Sequence, residues 1–468
     1  MVNISIIVSF AAKNFGIGYK NNLPWKIPKD LSRFAKITKK SVVVMGRNTW
    51  DSIPEDKKPL IDRLNVVITS EPELYKTTET VVYMAMDELD SFLKVQKYSS
   101  NVYIIGGASL YKQYMGIAST IYATVIENTK PPECDIFYPI DNFDKYEIVD
   151  YSPSETSSED GTIYRYITFV KKTKPHDEYE YLRMLKDILV NGNVRPDRTG
   201  VGTISVFGRQ MRFDISRSVP FLTTKFLAWK AVVKELLWFL SGKTDSKVLE
   251  SQGVNIWKGN TSREFLDNRG LSHYKEGDIG PLYGVSFRSF NCDYHGCEND
   301  YKGQGYDQLT ELINGLKTDP YSRRHLMTTF NPAEVSKCVL APCHGIAIQF
   351  YVEEIEGVKF LSCHTYCRSQ DTFLGTSFNI ASYAILTYII AKKCGMHPKD
   401  LVMSTGDTHI YSNHIEQVKL QLSRKPLPFP VLELNDSVKE KEFEDITIDD
   451  FNLVGYIHYP SIKAEMAV

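Results

Sequence analysis

The sequence predicts an α/β fold for the N-terminal region, with a mainly parallel central sheet and flanking helices. Short runs of β-branched and apolar residues recur there, and helical or loop sequence separates one run from the next. Such runs, joined by crossover helices, are typical of parallel sheets. The five runs are residues 4–8, 42–45, 66–69, 81–84 and 102–105.

Two further segments of this region alternate between apolar and polar residues. Alternation is typical of strands with one solvated face, so we expect residues 121–126 and 162–171 to be antiparallel edge strands. A polar junction containing Pro175 follows. We place the domain boundaries there, with domains at residues 1–172 and 179–468 and a short linker over residues 173–178.

The composition limits the classes of protein that fit. A chain of 468 residues is expected to form two or three domains. Its 43% hydrophobic and 24% charged residues are ordinary for soluble globular proteins. The net charge of −2 gives no overall reason to expect a nucleic-acid partner. The eight cysteines are scattered, which favours reduced thiols in a reducing compartment.

Two apolar segments could be targeting or membrane sequences, and neither fits that description. Residues 1–10 lack a basic leader and a cleavage site. Residues 380–391 include Ser382 and Tyr383 and are too short to span a bilayer, so they predict a buried helix. We therefore expect a cytoplasmic protein without a membrane partner.

The most reactive candidate in the C-terminal region is Cys343. It follows Pro342 and precedes His344, directly before the alternating segment 346–351, which predicts a strand that would hold the thiol still. Cysteine attacks as a thiolate and needs positive charge nearby. The candidate cations are Arg198, Arg323, Arg324 and Arg368. The alternative is a buried structural cysteine.

An acidic residue lies within a predicted apolar helix over residues 228–240. Lys230 and Lys234 indicate the solvated edge of this helix, and Glu235 lies beside them among apolar residues. A half-buried glutamate requires a partner or a function. Glu235 is therefore either a catalytic acid or a flanking residue bonded to a lysine.

Two features of the N-terminal region indicate ligand binding. Asp30 follows Leu23-Pro24-Trp25 and precedes Phe34. An acid in such an apolar setting has a raised pKa and can relay a proton, although it could also be a solvated acid at a helix start. Gly106-Gly107 follows a predicted strand and opens a helix, where a pyrophosphate could approach the backbone. No full G-x-G-x-x-G motif is present, so a standard Rossmann site is not supported.

From residue 179 to the end, the chain resembles thymidylate synthases in the order and spacing of its motifs. These are Asp197-Arg198-Thr199-Gly200, Ser322-Arg323-Arg324, Ala341-Pro342-Cys343-His344, Cys367-Arg368-Ser369, Phe378-Asn379-Ile380-Ala381-Ser382-Tyr383 and Gly406-Asp407-Thr408-His409-Ile410-Tyr411-Ser412-Asn413-His414.

This resemblance implies an α+β domain that methylates dUMP with 5,10-methylenetetrahydrofolate. It implies that Cys343 is the nucleophile, that Glu235 orders water at the pyrimidine O4, and that Tyr283 helps to remove the C5 proton. Trp257 and Asn260 would contact the folate. The implied nucleotide-binding residues are Arg198, Arg323, Arg324, Arg368, Ser369, Asp371 (through its backbone), Asn379, His409 and Tyr411.

Two implications concern specificity and assembly. The Asn379 amide would pair with N3 and O4 of uracil, whereas an aspartate there would suit cytosine. Arg323 and Arg324 are adjacent and would point to opposite sides of an extended chain. The resemblance implies that both cross a two-fold interface into the other subunit's site, which makes the enzyme a homodimer through this domain.

Residues 1–172 resemble dihydrofolate reductases. The motifs are Gly16-Ile17-Gly18, Leu23-Pro24-Trp25, Asp30, Met45-Gly46-Arg47-Asn48-Thr49-Trp50, Pro59-Leu60-Ile61-Asp62-Arg63, and Gly106-Gly107 with Tyr111. The resemblance implies reduction of dihydrofolate by NADPH. The implied folate-binding residues are Val8, Trp25, Asp30, Phe34, Arg63 and Thr124, and the implied NADPH-binding residues are Gly18, Arg47, Thr49, Thr69, Ser70, Gly106 and Gly107.

Three positions depart from these family patterns. Ser9-Phe10 stands where small residues are usual, so Phe10 would add bulk near the pterin or the nicotinamide. Ser286-Phe287 replaces Gln-Trp, and Cys367 replaces a glutamine, which would loosen the network around the nucleotide. The spacing of Cys338, Cys343, Cys363 and Cys367 matches no common zinc site, so no metal is expected.

Together the two resemblances predict a bifunctional enzyme in which one site makes the substrate of the other. Three alternatives remain open from the sequence. The C-terminal region could transfer a hydroxymethyl group, the N-terminal region could be inactive because of Phe10, or the chain could bind RNA without catalysis.

Overall fold

The computed structural model describes residues 2–197 and 199–465, so the predicted ligand Arg198 lies outside the described residues. The chain divides into two compact units. The first consists of Met1–His176 with Lys425–Pro428, and the second consists of Asp177–Arg424 with Phe429–Val468. No helix of the described residues is long and apolar enough to cross a membrane.

The first unit is built on a nine-stranded mixed sheet in the order β10-β11-β7-β1-β6-β3-β4-β5, with β9 also paired to β11. Its helices are α1 (Pro28–Ile37), α2 (Arg47–Ser52), α3 (Leu89–Val95) and α4 (Ala108–Tyr114). Its strands are β1 (Asn3–Ala11), β2 (Gly16–Gly18), β3 (Ser41–Gly46), β4 (Arg63–Ile68), β5 (Val81–Met84), β6 (Asn101–Gly106), β7 (Thr120–Ile126), β8 (Ile136–Phe137), β9 (Tyr146–Tyr151), β10 (Glu155–Thr156) and β11 (Ile163–Lys171).

The predicted parallel sheet is confirmed, because β7, β1, β6, β3, β4 and β5 run parallel to one another. The prediction for residues 121–126 is wrong: β7 lies inside the sheet, parallel to β1 and antiparallel to β11. Thr124, one of its polar residues, is buried and donates a hydrogen bond to Asp30. The strand β11 is antiparallel as predicted, but it is not an edge strand because β9 and β10 pair with it.

The departure at Phe10 is accommodated in the interior of this unit. The ring is fully buried and stacks on Tyr138 at 5.2 Å between ring centroids, with Phe143 edge-on at 6.3 Å. Phe10 therefore belongs to an aromatic cluster of the core, and its contacts with other rings account for its size.

The second unit is also mixed, with a six-stranded sheet in the order β12-β13-β17-β16-β15-β14 and a separate pair of β18 and β19. Its helices are α5 (Glu178–Asn191), α6 (Trp229–Leu240), α7 (Ser246–Ser251), α8 (Arg263–Asn268), α9 (Gly284–Arg288), α10 (Gln308–Thr318), α11 (Gly375–Cys394) and α12 (Ile415–Leu422). Its strands are β12 (Asn193–Arg195), β13 (Thr203–Asp214), β14 (Leu326–Met327), β15 (Ala347–Ile355), β16 (Val358–Asp371), β17 (His397–Tyr411), β18 (Val431–Leu434) and β19 (Phe451–Val454).

The predicted buried helix is confirmed as α11, which packs against β16, β17 and α6. Apolar residues cover it on every side, so it forms the centre of the core. It ends at Gly395, whose φ of 66° is the left-handed conformation that favours glycine after a helix.

One pair of strands in the second sheet is parallel. β16 and β17 run side by side in the same direction, so their carboxyl ends meet, with Ser369 opposite Asp407 and Asp371 opposite His409. The sheet face opposite α11 carries exposed apolar side chains, among them Phe207, Leu326 and Tyr351. Helix α11 covers one face of the sheet and leaves these side chains on the other.

Two candidate active sites

Cys343 lies in the loop before β15 and is half-buried beside a tyrosine hydroxyl. Its Sγ is 3.5 Å from the Tyr283 hydroxyl oxygen, and its backbone N–H donates to the same oxygen at 3.3 Å. Because this oxygen accepts from the backbone, the hydroxyl proton is available to the sulfur. Burial raises the pKa of the Cys343 thiol, while the Tyr283 hydrogen bond and the charge of Arg368 act in the opposite direction.

Tyr283 is held in an unusual backbone conformation. It precedes α9 with a φ of 38°, which is uncommon for a residue other than glycine. Its ring stacks on His344 with centroids 4.3 Å apart, and Nδ1 of His344 is 2.8 Å from the Tyr383 hydroxyl. Burial lowers the pKa of His344 to about 4, so this imidazole is neutral near pH 7 and orients Tyr283 without adding charge.

Glu235 on α6 faces the aromatic residues around Tyr283. Its carboxylate accepts a hydrogen bond of 2.8 Å from Nε1 of Trp257, and the Trp257 and Tyr283 ring centroids are 6.1 Å apart. Burial raises the pKa of Glu235 to about 7, and the indole hydrogen bond opposes this effect. The partner of Glu235 is therefore an indole. Lys234 on the same helix instead donates to the carbonyl of Gln252.

Arg368 supports the loop that carries the thiol. Its Nε donates to the Pro342 carbonyl at 2.6 Å and its Nη2 donates to the Ala341 carbonyl at 2.9 Å. A guanidinium has five N–H donors, so Arg368 retains donors for an anion. We expected arginine neighbours to ionise the Cys343 thiol. The charge of Arg368 does lower the pKa of this thiol, but burial raises the pKa by more, so the net shift is upward.

The carboxyl ends of β16 and β17 bring together the next group of predicted residues. Ser369 and Asp371 lie on β16, next to His409 and Tyr411 on β17. The His409 Nδ1 is 3.1 Å from an Asp407 carboxylate oxygen. The Asp371 carboxylate accepts from the backbone N–H groups of Phe373 and Leu374, and its carbonyl accepts from Thr376.

Asn379 lies in the second turn of α11 and is half-buried. Its Nδ2 donates to Oε1 of Gln370 on β16 at 3.3 Å. Gln370 is a residue that the sequence analysis missed, because nothing in the sequence distinguishes a buried glutamine from an exposed one. The departure at Cys367, three residues before Gln370, was the sequence feature nearest to this contact.

The other predicted residues of the second unit are placed as follows. Trp257 is buried in the cluster with Glu235, and Asn260 is half-buried in the turn that follows. Arg323 and Arg324 are exposed in the loop between α10 and β14. Among the described residues, neither guanidinium makes a hydrogen bond or an ion pair.

Asp30 begins the candidate site of the first unit. It lies in the first turn of α1, and the buried Thr124 hydroxyl of β7 donates to its carboxylate. Burial raises the pKa of Asp30, while the Thr124 hydrogen bond and the charge of Arg33 lower it. The sequence analysis did not identify Arg33, whose guanidinium lies 4.4 Å from the centre of the Tyr166 ring.

The apolar residues predicted to hold a folate lie on neighbouring elements. Val8 and Trp25 are buried, with Val8 on β1 opposite Ala123 of β7. Phe34 is half-buried on α1. Trp25 also lines a surface cavity of about 480 Å³ together with Pro24 and Ile126. The Trp25 Nε1 is buried and has no hydrogen-bond partner among the described residues.

Arg63, at the start of β4, is buried and anchored from inside the unit. Its Nε donates to Oγ1 of Thr38 at 2.8 Å, its Nη2 donates to the Ala35 carbonyl at 2.7 Å, and its Nη1 donates to the Ile61 carbonyl. One N–H on each terminal nitrogen remains, and those two donors suit a bidentate carboxylate. Its guanidinium lies 5.8 Å from the centre of the Phe34 ring.

Six of the seven residues predicted to hold NADPH lie at the carboxyl edge of three adjacent parallel strands. Arg47 and Thr49 follow β3, and Thr69 and Ser70 follow β4. Gly106 and Gly107, at the end of β6, are joined by a cis peptide bond. This edge is where open α/β sheets bind ligands. The three strands β6, β3 and β4 are neighbours, so these residues belong to one surface.

The backbone conformation and the close surroundings of Gly106 both favour glycine. Its φ is 138°, and a Cβ there would lie 3.1 Å from Oγ1 of Thr49, so backbone and side chain meet closely at this edge. Arg47 is paired with Asp51 at 2.8 Å and lies 4.3 Å from the centre of the Tyr75 ring. Gly18, the seventh residue predicted to hold NADPH, ends the short strand β2, which pairs with β8. It does not belong to the strands that carry the other six residues.

Comparisons with known families divide the chain near the boundary between the two compact units. A family model for thymidylate synthase matches residues 179–468. A family model for dihydrofolate reductase matches residues 3–171.

Relatives are similar to this chain over almost its whole length. The bifunctional dihydrofolate reductase-thymidylate synthase of Zea mays is 38% identical over 517 residues, covering 100% of this chain and 97% of the relative. The protein of the same name from Paramecium tetraurelia is 41% identical over 466 residues, covering 97% of each chain. That of Leishmania major is 39% identical over 502 residues, covering 99% of this chain and 95% of the relative.

The chain is therefore an enzyme with two activities. One region methylates dUMP with 5,10-methylenetetrahydrofolate, giving dTMP and dihydrofolate, and the other reduces dihydrofolate to tetrahydrofolate with NADPH. The two family models and the full-length relatives together establish that this chain belongs to the bifunctional dihydrofolate reductase–thymidylate synthase family.

Proposed function

We propose that residues 179–468 carry the synthase reaction and residues 1–172 the reductase reaction, joined by a linker over residues 173–178. The observation that carries the synthase assignment is the cluster of Cys343, Tyr283, Glu235 and Trp257. The thiol of Cys343 contacts the phenol of Tyr283, and the Trp257 ring, which packs on Tyr283, donates to the Glu235 carboxyl of raised pKa. These three groups can perform nucleophilic addition and proton transfer.

The synthase steps follow from this cluster. The Cys343 thiolate forms a bond to C6 of dUMP, which makes C5 nucleophilic, and C5 attacks the methylene of the cosubstrate. Glu235 orders water at O4 and shuttles the proton there, and Tyr283 assists removal of the proton from C5. Tetrahydrofolate then leaves and returns a hydride to the methylene, the Cys343 sulfur departs from C6, and dTMP and dihydrofolate are released.

The nucleotide and folate contacts are assigned by position. Arg368, with donors left over from its loop contacts, binds the phosphate together with Ser369, and Arg198 belongs to the same set. His409 and Tyr411 bind the ribose, and the Asn379 amide pairs with the uracil edge. Asp371 contacts the base through its backbone, most directly through its N–H, because its carbonyl already accepts from Thr376. Trp257 and Asn260 contact the folate.

In the reductase region, Asp30 and Thr124 hold the pterin and Asp30 assists protonation of N5 beside Trp25. The two spare donors of Arg63 bind the α-carboxylate of the folate, with Phe34 and Val8 against its rings. NADPH, when bound, supplies the hydride that reduces C6 of dihydrofolate. The close approach of Gly106 to Thr49 fits the binding of a dinucleotide, and Gly107, Arg47, Thr69, Ser70 and Gly18 complete that site.

We further propose that the enzyme is a homodimer through the synthase domain. The exposed Phe207, Leu326 and Tyr351 lie on the sheet face opposite α11, and β14 directly follows the unpaired Arg323 and Arg324. An apolar sheet face buried against a second copy would carry these guanidinium groups to the phosphate site of that copy. The eight free cysteines favour a cytoplasmic location.

The first experiment separates the two activities in one chain. Wild-type enzyme should release tritium from 5-³H-dUMP, and Cys343→Ala should release none. In the same preparation of Cys343→Ala, the loss of NADPH absorbance with dihydrofolate should continue at the wild-type rate. Tritium release by Cys343→Ala would remove the basis of the synthase assignment, and a silent reductase in the wild type would refute the second assignment.

The second experiment tests the shared site. Cys343→Ala and Arg323→Ala are each expected to be inactive as synthases when pure. After dissociation and reassociation of a mixture, heterodimers with one intact site should restore up to about a quarter of the wild-type rate, because half of the dimers are mixed and each has one complete site. An unchanged rate in a mixture shown to exchange subunits would count against sharing.

A further inference from the structure

The pair formed by Gln370 and Asn379 has a role that neither family motif supplies. Gln370 is 1% exposed, and its Oε1 accepts from the Asn379 side chain at 3.3 Å. Its own Nε2 is buried without a partner among the described residues. Among the described residues, the side-chain amide of Gln370 makes a hydrogen bond with Asn379 alone, so the cost of burying this amide is offset at that one contact.

The neighbouring position cannot replace this contact. Cys367 is fully buried, and burial raises the pKa of its thiol. A neutral thiol is a weak donor and a weak acceptor. Within β16, Gln370 is the residue that brings an amide to Asn379, three positions after the departure noted in the sequence.

The orientation of the Asn379 amide decides which pyrimidine it can bind. Uracil presents an N3–H donor and an O4 acceptor, whereas cytosine presents an N3 acceptor and an N4–H donor. With one Nδ2 proton bonded to Gln370, Asn379 retains one N–H and its Oδ1, in the order that uracil requires. A flipped amide would suit cytosine, but it would direct Oδ1 against Oε1 of Gln370, and two acceptors repel.

We propose that Gln370 is a specificity-determining positioning residue, which fixes the amide of Asn379 in the orientation that selects uracil over cytosine. This inference rests on the proposed pairing of Asn379 with the base. Gln370 acts through Asn379 and touches no reacting atom.

The test compares two substitutions of similar size. Gln370→Met keeps the volume and removes the acceptor, so the ratio of dCMP to dUMP dissociation constants should fall by about tenfold, the value of one net hydrogen bond. Gln370→Glu keeps an acceptor and, when ionised, cannot donate. The Gln370→Glu side chain therefore cannot turn over together with the Asn379 amide to donate to a flipped Oδ1. The ratio of dCMP to dUMP dissociation constants of this variant at pH 8 should equal or exceed that of the wild type.

Isothermal titration calorimetry with each nucleotide gives the two constants, and the reductase rate of the same chain measures the amount of intact protein. Gln304→Met, at an exposed glutamine, is the matched control and should leave the ratio unchanged. A merely structural role would weaken both nucleotides equally and leave the ratio unchanged.

The outcomes discriminate between this inference and the proposed function. If Gln370→Met retains the wild-type ratio, or if Gln370→Glu loses it, the inference is wrong even when dUMP is still methylated. If Gln370→Met does not fold, Gln370→Leu removes the same acceptor with a smaller apolar side chain, and a wild-type ratio in that variant would refute the inference. Wild-type protein that fails to release tritium from 5-³H-dUMP would instead refute the proposed synthase site.

Discussion

Asp30 in the first unit and Glu235 in the second are two half-buried carboxyls placed in apolar surroundings. Burial raises the pKa of both. Asp30 accepts from a threonine hydroxyl and has Arg33 nearby, whereas Glu235 accepts from an indole N–H and from no other group in the described part of the chain. Opposite charge near a carboxyl favours its ionised form, so Arg33 offsets part of the burial effect at Asp30, whereas at Glu235 the indole hydrogen bond alone is found to oppose burial.

The difference shows how the rise in pKa that burial causes is offset to different extents in a synthase carboxyl and a reductase carboxyl. Glu235, with a pKa of about 7, is present in both protonation states near neutrality and can therefore take up and release a proton within one turnover. Asp30 is partly compensated, so it can remain charged against a pterin and still relay a proton. The predictions below remove each compensating or reacting group in turn.

The largest effect is expected for Glu235→Gln. The amide keeps the size of the side chain but cannot exchange a proton, so the synthase rate should fall by about 10²- to 10⁴-fold. The wild-type dependence of kcat/KM on pH should show a step near pH 7, and the variant should lack it. Initial rates of tritium release between pH 5 and 9 provide the measurement, and the reductase rate serves as the control.

Glu235→Gln should lower the synthase rate but raise the stability of the folded protein above pH 7. The pKa of Glu235 rises from 4.5 to about 7 on folding, so stability is fully present below pH 4.5 and falls as pH rises to 7. Above pH 7 the penalty approaches about 3 kcal/mol. Glu235→Gln should therefore unfold at higher denaturant concentration than the wild type at pH 8 and show no gain at pH 4.5. Equal midpoints at pH 8 would contradict a raised pKa.

The next effect is expected for Asp30→Asn. Without a proton relay the reductase rate at pH 7 should fall by about 10²-fold. The residual rate should rise as the pH falls, because solvent can then protonate N5 directly. Stopped-flow loss of NADPH absorbance measures this, and tritium release from the synthase region should be unchanged. A variant within threefold of the wild type at pH 7 would show that another group supplies the proton.

The smallest effect is expected for Arg33→Met, which makes Asp30 resemble Glu235. Loss of the cation raises the pKa of Asp30 further, so the midpoint of the reductase rate against pH should move to higher pH with little change in the plateau. Arg33→Lys keeps the charge and should leave the midpoint near its original position. An unchanged midpoint would show that the charge of Arg33 has no effect on the ionisation of Asp30.

The sequence predicted the helices and strands better than it predicted which polar side chains are buried and what they contact. The buried helix α11 and the parallel strands follow from apolar patterns, and the contact between Asp30 and Thr124 was anticipated from the family resemblance. Residues 121–126 were misassigned because their alternation includes Thr124, a polar residue that is buried and bonded to Asp30. A pattern of polarity alone cannot distinguish such a residue from an exposed one. Arg33 was missed because its neighbour Tyr166 lies on a strand distant in sequence, and Gln370 was missed because its contact with Asn379 depends on how β16 and α11 pack.

The Cys343 thiol of the resting enzyme has a final consequence for handling and inhibition. Alkylating agents and peroxide react with thiolates, and burial keeps this sulfur largely protonated. Iodoacetamide should therefore inactivate the free enzyme slowly at neutral pH. Covalent inhibitors aimed at this sulfur would have to bring a group that ionises it.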